Sequence, residues 1–501
     1  MSHKPTMNGP EKSDGLVVPT KSPNKAGLPA AEEMEGRSPA EGNTGGQNAS
    51  RTQCRTRAPS ALDRVREAAR RDRKLQFTAL LHHVTVDRLR DAYLALERKA
   101  AAGVDGMTWN EYGQDLGARL EDLHARVHRG TFHAKPSRRV YIPKPDGRQR
   151  PLGIASLEDK IVQRSIVEVL NAIYEVDFLG FSYGFRPGRS QHQALDALAT
   201  AISRKKVNWV LEVDIRGFFD AIDHGWLVRF VEHRVADKRI VRLIQKWLAA
   251  GVLEEGKWAA TEGGTPQGAT ISPLLANVYL HYVLDLWVQQ WRKRARGEVI
   301  IVRYADDFVL GFQHESDAVW FRTELQQRLQ RFRLEMHPEK TRLIRFGSLA
   351  AANRRERGEG KPETFDFLGF THICGKTKLG KFLLHRRTTK KRMRARLKAI
   401  REAIHKRRHL PVPVQGQWLG QVVRGYFAYH AIPTNIKRLG SFRTQVIRSW
   451  HHALRRRSQR SRTDWVRMSR LALRWIPPAR VLHPYPWVRF DDRTQGRRRV
   501  R

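Results

Sequence analysis

Cysteine is almost missing from this chain: 501 residues carry two, Cys54 and Cys374, and neither has a neighbour at metal-ligand spacing. That excludes zinc knuckles and cysteine-paired nuclease modules, which need clustered thiolates, and it fits a reducing compartment. Long apolar runs are missing too. The longest uncharged stretch, 263 to 284, has the length of a membrane span but contains Gly, Pro, Gln, Ser and Asn, so it reads as a loop followed by a helix. The start, Met1-Ser2-His3-Lys4-Pro5, lacks the apolar centre of a signal peptide. Acidic residues are scarce beside basic ones, 50 against 93, which leaves a formal net charge of +43. A balance so far from neutral points to a polyanionic partner, nucleic acid or an anionic membrane surface, and away from a small-molecule substrate. Hydrophobic content of 40% and aromatic content of 9% are ordinary for a folded protein, so the charge rides on a globular scaffold and nucleic acid is the better match.

The length suffices for roughly two to four domains. Residues 1–60, rich in Gly, Pro, Ser and Asn without periodicity, read as a disordered leader. Residues 61–130 read as a helical extension, with Val86, Leu89, Tyr93 and Leu96 at helical spacing before Gly103 ends the run. The segment 138–154 reads as strand, Pro-Asp-Gly turn, strand, and Leu157 to Tyr174 as a helix. An aromatic, glycine-punctuated loop follows at 178–190, where Arg186 and Arg189 could contact phosphates while the rings pack.

Two acidic strand ends stand out. In Ile300 to Phe312, the pair Asp306-Asp307 sits between two runs of β-formers, which reads as a hairpin with acids at its tip. A solvated turn is the plain alternative for that pair taken alone. A second apolar strand, Trp209 to Val213, ends in Asp214 about ninety residues earlier. Strands ending in acids can lie side by side and gather three carboxylates around two metal ions, and magnesium, which completes its shell with water and phosphate, suits such a set. Asp220 and Asp223 fall on the following turn or helix, where acids near a helix start are favoured anyway, and are left out of the site.

These stretches, with Gly264-Thr265-Pro266-Gln267-Gly268 and Ser272-Pro273-Leu274-Leu275-Ala276-Asn277 between them, resemble the signature of group II intron-encoded reverse transcriptase/maturases. The resemblance runs from about Arg71 to Phe490. It implies an α/β right-hand polymerase fold, with fingers and a ferredoxin-like palm over 131–372, then an α-helical thumb and maturase domain over 373–490 and a basic tail over 491–501. It implies RNA-directed DNA polymerisation with Mg2+, and assistance to splicing and mobility of the intron. By the same resemblance Asp214, Asp306 and Asp307 hold the metals with the Ile215 carbonyl. Lys144 and Arg150 bind the triphosphate, Phe219 lies under the incoming sugar, Gln267 bonds the nucleotide, and Lys340 stands near the leaving pyrophosphate. Arg443, Arg448 and Arg455, on the polar side of a helix through Ile436, Leu439, Phe442, Val446 and Trp450, are expected to stay outside and bind RNA.

The partners so implied are group II intron RNA, an RNA template with a DNA primer, a DNA target and deoxynucleotides, with no membrane. The expected location is the cytoplasm, at the nucleoid when acting on DNA. Two alternatives share much of this pattern: a reverse transcriptase of a host or phage-defence system without an intron, and a splicing-only maturase. With no cysteine pairs for an endonuclease, any DNA integration is expected to rely on a pre-existing 3′ end for priming.

Overall fold

In the computed structural model of the chain, runs of Val, Ile and Phe broken by turn residues build three small sheets among the described residues, and amphipathic runs build the helices between them. The structure describes residues 61–143, 149–254, 257–260, 263–265, 268–457 and 463–489. The leader at 1–60 and the tail at 491–501 lie outside the described residues. Helices α1 (Ala61–Arg71), α2 (Val86–Leu94) and α3 (Leu116–Arg129) come first. The hairpin β1 (Ser137–Pro143) and β2 (Gln149–Ile154) precedes α4 (Leu157–Asp177) and α5 (Gln191–Arg204). Strand β3 (Trp209–Val213) is followed by α6 (His224–Glu232), α7 (Lys238–Ala249), β4 (Val252–Glu254) and β5 (Lys257–Ala259). Next come α8 (Ser272–Leu280), α9 (Leu286–Trp291), β6 (Val299–Tyr304), β7 (Asp307–Phe312), α10 (Glu315–Arg331) and β8 (Arg342–Arg345). Strands β9 (Phe365–Phe367), β10 (Phe370–Lys376) and β11 (Phe382–Thr388) lead to α11 (Lys390–Lys406), α12 (Val412–His430), α13 (Ile436–Arg455) and α14 (Trp465–Trp475).

Side-chain caps set many of the helix starts: Thr85, Ser156, Ser190, Asp223, Asp237, Thr389 and Asp464 each accept a backbone N–H of the first turn. The helix expected to run on to Gly103 instead stops at Leu94. Gly103 is there for close approach: a Cβ on it would lie 2.6 Å from the Ser156 Cα.

The central sheet has the order β6-β7-β3-β8, with every neighbouring pair antiparallel. In chain order its strands read fourth, first, third, second across the sheet, the arrangement of a ferredoxin-like βαββαβ unit. Both faces are covered. Leu211, Val213, Ile301, Phe308 and Leu310 join a core shared with α4, α8 and α10, while Val210, Ile300, Val302, Val309 and Ile344 join a second core against α5 and β9 to β11. Double coverage explains why these strands read as unbroken hydrophobic runs and why the tip is where polar groups emerge. Leu62, Val65, Leu89, Leu120 and Val127 of the first three helices belong to that same first core, so the N-terminal segment is built into the body of the protein. A third core, around Leu419, Phe442, Val446 and Trp450, holds α11 to α14 together. Among the described residues no helix is long and apolar enough to cross a membrane.

The end of the described chain returns to the central body. Leu482 N–H donates to the Ala431 carbonyl, the His483 ring stacks on His192 at 4.1 Å, and Arg489 pairs with Asp196 at 3.2 Å. Asp196 also accepts from the buried guanidinium of Arg386 at 3.1 Å. Burial pulls the Arg386 pKa down, and the Asp196 charge opposes that shift. Asp196→Ala is therefore expected to destabilise the fold by about 3–5 kcal/mol, because a buried cation loses its counter-ion. Denaturant unfolding checks this, and a loss too small to measure would show that the buried pair adds nothing net to stability.

Candidate active site

The β6–β7 hairpin closes in two residues, Ala305 and Asp306, between the paired Tyr304 and Asp307. Such a tight turn needs left-handed backbone, normally supplied by Gly or Asn, yet Ala305 adopts it with φ +56°. The conformation costs roughly 1–2 kcal/mol for a residue with a Cβ. Next to the hairpin, Val213 pairs with Phe308, so Asp214, one residue further on, emerges beside Asp307 at the same sheet edge. Three carboxylates from two strand ends thus converge, as the spacing predicts.

Their electrostatics confirm the crowding. Burial raises the Asp306 pKa, with Asp214 adding to the effect and Arg150 and Arg303 opposing it. Asp307 keeps a solvent-exposed face, but desolvation by the surrounding protein, then Asp306 and Asp214, push it up to about 7 against the pull of Lys340. Lys340 Nζ donates to Asp214 Oδ2 at 2.6 Å. Lys340, Arg150 and Arg303 oppose the carboxylates only in part, since Asp306 and Asp307 still have raised pKa values. Clustered hard oxygen donors suit a divalent cation such as magnesium. Among the described residues no three His, Cys, Asp or Glu side chains stand together as a group that could hold a metal ion. Asp214 and its neighbours are fixed by the chain after α10: Arg216 N–H donates to the Glu335 carbonyl, His337 N–H to the Asp214 carbonyl, and Ile215 bridges to Met336.

The other walls are the β1–β2 hairpin and the glycine loop. Arg150 pairs with Ile142 across the hairpin and is exposed, near enough to the acids for its charge to lower the Asp306 pKa. Phe219 is half-buried, edge-on to Phe218 at 5.5 Å and to Phe185 at 6.3 Å. Its carbonyl accepts the Thr265 N–H at 2.8 Å. Gly264, at φ +84°, is required at this contact, since a Cβ there would come 2.8 Å from that same carbonyl oxygen. Lys144 and Gln267 lie outside the described residues.

Two arginines differ from expectation. Arg186 is buried and makes no outward contact: it forms a two-pronged pair with Glu175 at 3.0 and 3.1 Å and donates to the Leu179 and Ser182 carbonyls. It ties its own loop shut, while Phe178, Phe181 and Tyr183 pack as the sequence suggests. Arg443 is half-buried and donates to the carbonyls of Pro477, Ala472 and Ile476, satisfying the end of α14. Arg448 and Arg455 are exposed on α13 as expected. Asp223 is occupied as the cap of α6, accepting the Trp226 N–H at 2.8 Å, which agrees with leaving it out of the site. Sequence reading overlooked Arg303, Asn277 and Asp285 beneath the hairpin. The available signal was a lone arginine inside the apolar strand Val299–Tyr304.

With this geometry in view, similarity to known proteins becomes informative. Residues 142–372 match the family described as reverse transcriptase (RNA-dependent DNA polymerase). The chain is 36% identical over 287 residues to Protein YkfC of Escherichia coli, covering 50% of this chain and 75% of that protein. It is 40% identical over 177 residues to the group II intron-encoded protein LtrA of Lactococcus lactis, covering 35% of this chain but 29% of LtrA. A longer, weaker likeness, 26% over 423 residues, links 71% of this chain to half of a putative COX1/OXI3 intron 1 protein of Saccharomyces cerevisiae. The chain therefore belongs to the reverse transcriptase family, and it is similar to group II intron-encoded proteins such as LtrA over less than a third of their length.

Proposed function

We propose that this protein copies RNA into DNA at the Asp214, Asp306 and Asp307 cluster, and that it binds the RNA of a group II intron to assist splicing and mobility. The observation that carries the reading is the convergence of three carboxylates from the end of β3 and the β6–β7 hairpin, with Arg150 of β2 near enough to act on Asp306. In this reading the central sheet is the palm and β1–β2 the fingers within 131–372. The helices after β11 are thumb and maturase within 373–490, and 61–130 is an extension sharing the palm core.

Bound magnesium would supply Lewis-acid stabilisation of the attacking primer 3′-oxygen and of the leaving pyrophosphate. Asp214, Asp306 and Asp307 would hold the ions, with the Ile215 carbonyl as a further ligand. Arg150 and Lys144 grip the triphosphate, for which a guanidinium offers a bidentate fork and an ammonium a point charge. Gln267 bonds the incoming nucleotide, and Phe219 closes the space beside its sugar. Lys340 keeps Asp214 oriented at the edge where phosphate oxygens arrive. The protein works in the cytoplasm, on the nucleoid when DNA is the target.

Extension of a DNA primer on an RNA template by the purified protein tests this. Product is expected with deoxynucleotides and magnesium and not with metal chelated, and no extension with either magnesium or manganese would overturn the reading.

For RNA binding, the exposed Arg448 and Arg455 carry the function that Arg443 does not. Arg448→Ala with Arg455→Ala is expected to weaken intron RNA binding and to flatten the salt dependence by about one unit of slope per lost phosphate contact. Splicing should suffer more than polymerisation on a generic template. Arg443→Ala should instead lower stability by about 1.5–3 kcal/mol, since it removes a charged donor from three carbonyls. Binding titrations at several salt concentrations, together with unfolding curves, separate the two outcomes.

A further inference from the structure

The tip of the β6–β7 hairpin is held from beneath by a buried polar network. Arg303, on β6, is fully buried. Its Nε and Nη2 donate to the two carboxylate oxygens of Asp285 at 2.7 and 2.5 Å. Its Nη1 donates to Asn277 Oδ1 at 3.1 Å and to the carbonyl of Ala305 at 2.9 Å. The last of these bonds reaches the turn residue that immediately precedes Asp306. Asn277 in turn donates to the Gly184 carbonyl at 2.7 Å. Gly184 lies against the turn, where an added Cβ would fall 2.2 Å from the Ala305 nitrogen.

The supporting helix is deformed to make this fit. Asp285 lies eight positions after Asn277, and in a regular α-helix the two would point about 80° apart around the axis. Residues His281–Asp285 are π-helical, between α8 and α9. A π turn takes more residues per revolution, which brings Asp285 back towards the face that carries Asn277. One guanidinium can then bond both. A buried arginine with a buried partner is weak reason to expect added stability, since matched apolar residues would do as well. Such a network is better explained by the geometry it imposes.

We propose that Arg303, Asp285 and Asn277 form a positioning device that fixes the left-handed turn at Ala305 and thereby aims the Asp306 carboxylate. The inference rests on the polymerase reading above. Arg303 touches no substrate: it acts on the reacting centre through the Ala305 carbonyl. Removing one bond of the network leaves a folded hairpin whose tip samples several orientations, so binding persists while the chemical step slows.

The test uses the full chain in single-turnover incorporation on a primed RNA template, with Asp306→Asn as the reference. Asn277→Ala leaves the Arg303–Asp285 pair intact. It is expected to melt cooperatively and to lose about 30-fold in maximal incorporation rate, the scale for a small misplacement of a reacting group. Its nucleotide KM and template–primer Kd should stay within about threefold of wild type, because binding contacts are untouched. Arg303→Lys keeps the charge but cannot span Asp285, Asn277 and Ala305 together, and should fall at least as far. A folded Asn277→Ala enzyme with a wild-type rate overturns the proposal, as does a rate loss that disappears on cooling in step with recovered folding. Should neither variant melt cooperatively, the network is a folding element and the proposal fails. If instead Asp306→Asn itself retains activity, it is the polymerase reading that falls.

Discussion

Asp306→Asn is expected to lower cDNA synthesis by about 10³-fold, since a charge that stabilises the transition state through the metal is worth several kcal/mol. Asparagine has nearly the same shape, so the Ala305–Asp306 turn and its pairing between Tyr304 and Asp307 survive. It also removes an anion from a place where Asp214 and Asp307 repel it. Thermal stability should therefore hold or rise while activity collapses, the opposite of what loss of a structural carboxylate does. Template–primer affinity should barely change, because phosphate contacts elsewhere on this basic chain supply it. A single-turnover assay beside a melting curve decides the matter, and near wild-type extension would remove Asp306 from the site.

Phe219→Ala should relax the choice of sugar by about 100-fold, the order of discrimination that a wall of apolar atoms achieves against one added hydroxyl. Phe218 and Phe185 brace Phe219 edge-on, and the Gly264 loop closes on its carbonyl. Deoxynucleotide incorporation should fall far less than the deoxy-to-ribo ratio, because alanine removes the obstacle without touching the acids. Phe219→Val, with a shorter side chain still branched at Cβ, should lie between. Comparing the two kcat/KM values for matched nucleotides measures this ratio, and an unchanged ratio would leave Phe219 a packing residue.

Sequence alone determined the features whose cause is local. The strands around Asp306-Asp307 and before Asp214 follow from β-branched runs that both faces of a sheet bury, and the acids emerge where those runs end. Caps such as Ser156 and Thr389 mark helix starts because the orphan N–H groups they satisfy lie within one turn. The partners of long charged side chains were decided by tertiary structure. With 93 Lys and Arg residues against 50 acidic ones, many basic side chains must lie without an acidic partner, so exposure cannot be read from residue type. Arg186 and Arg443 turned inward because loop and helix-end carbonyls needed donors that only the packed chain brought near. Arg303 found Asp285 through a π-helical turn that no periodicity announces. Lys340 reached Asp214 across 126 residues of sequence. Local pattern places a carboxylate at the end of a strand, whereas aiming it takes contacts between segments far apart in the chain, and those exist only once the core has formed.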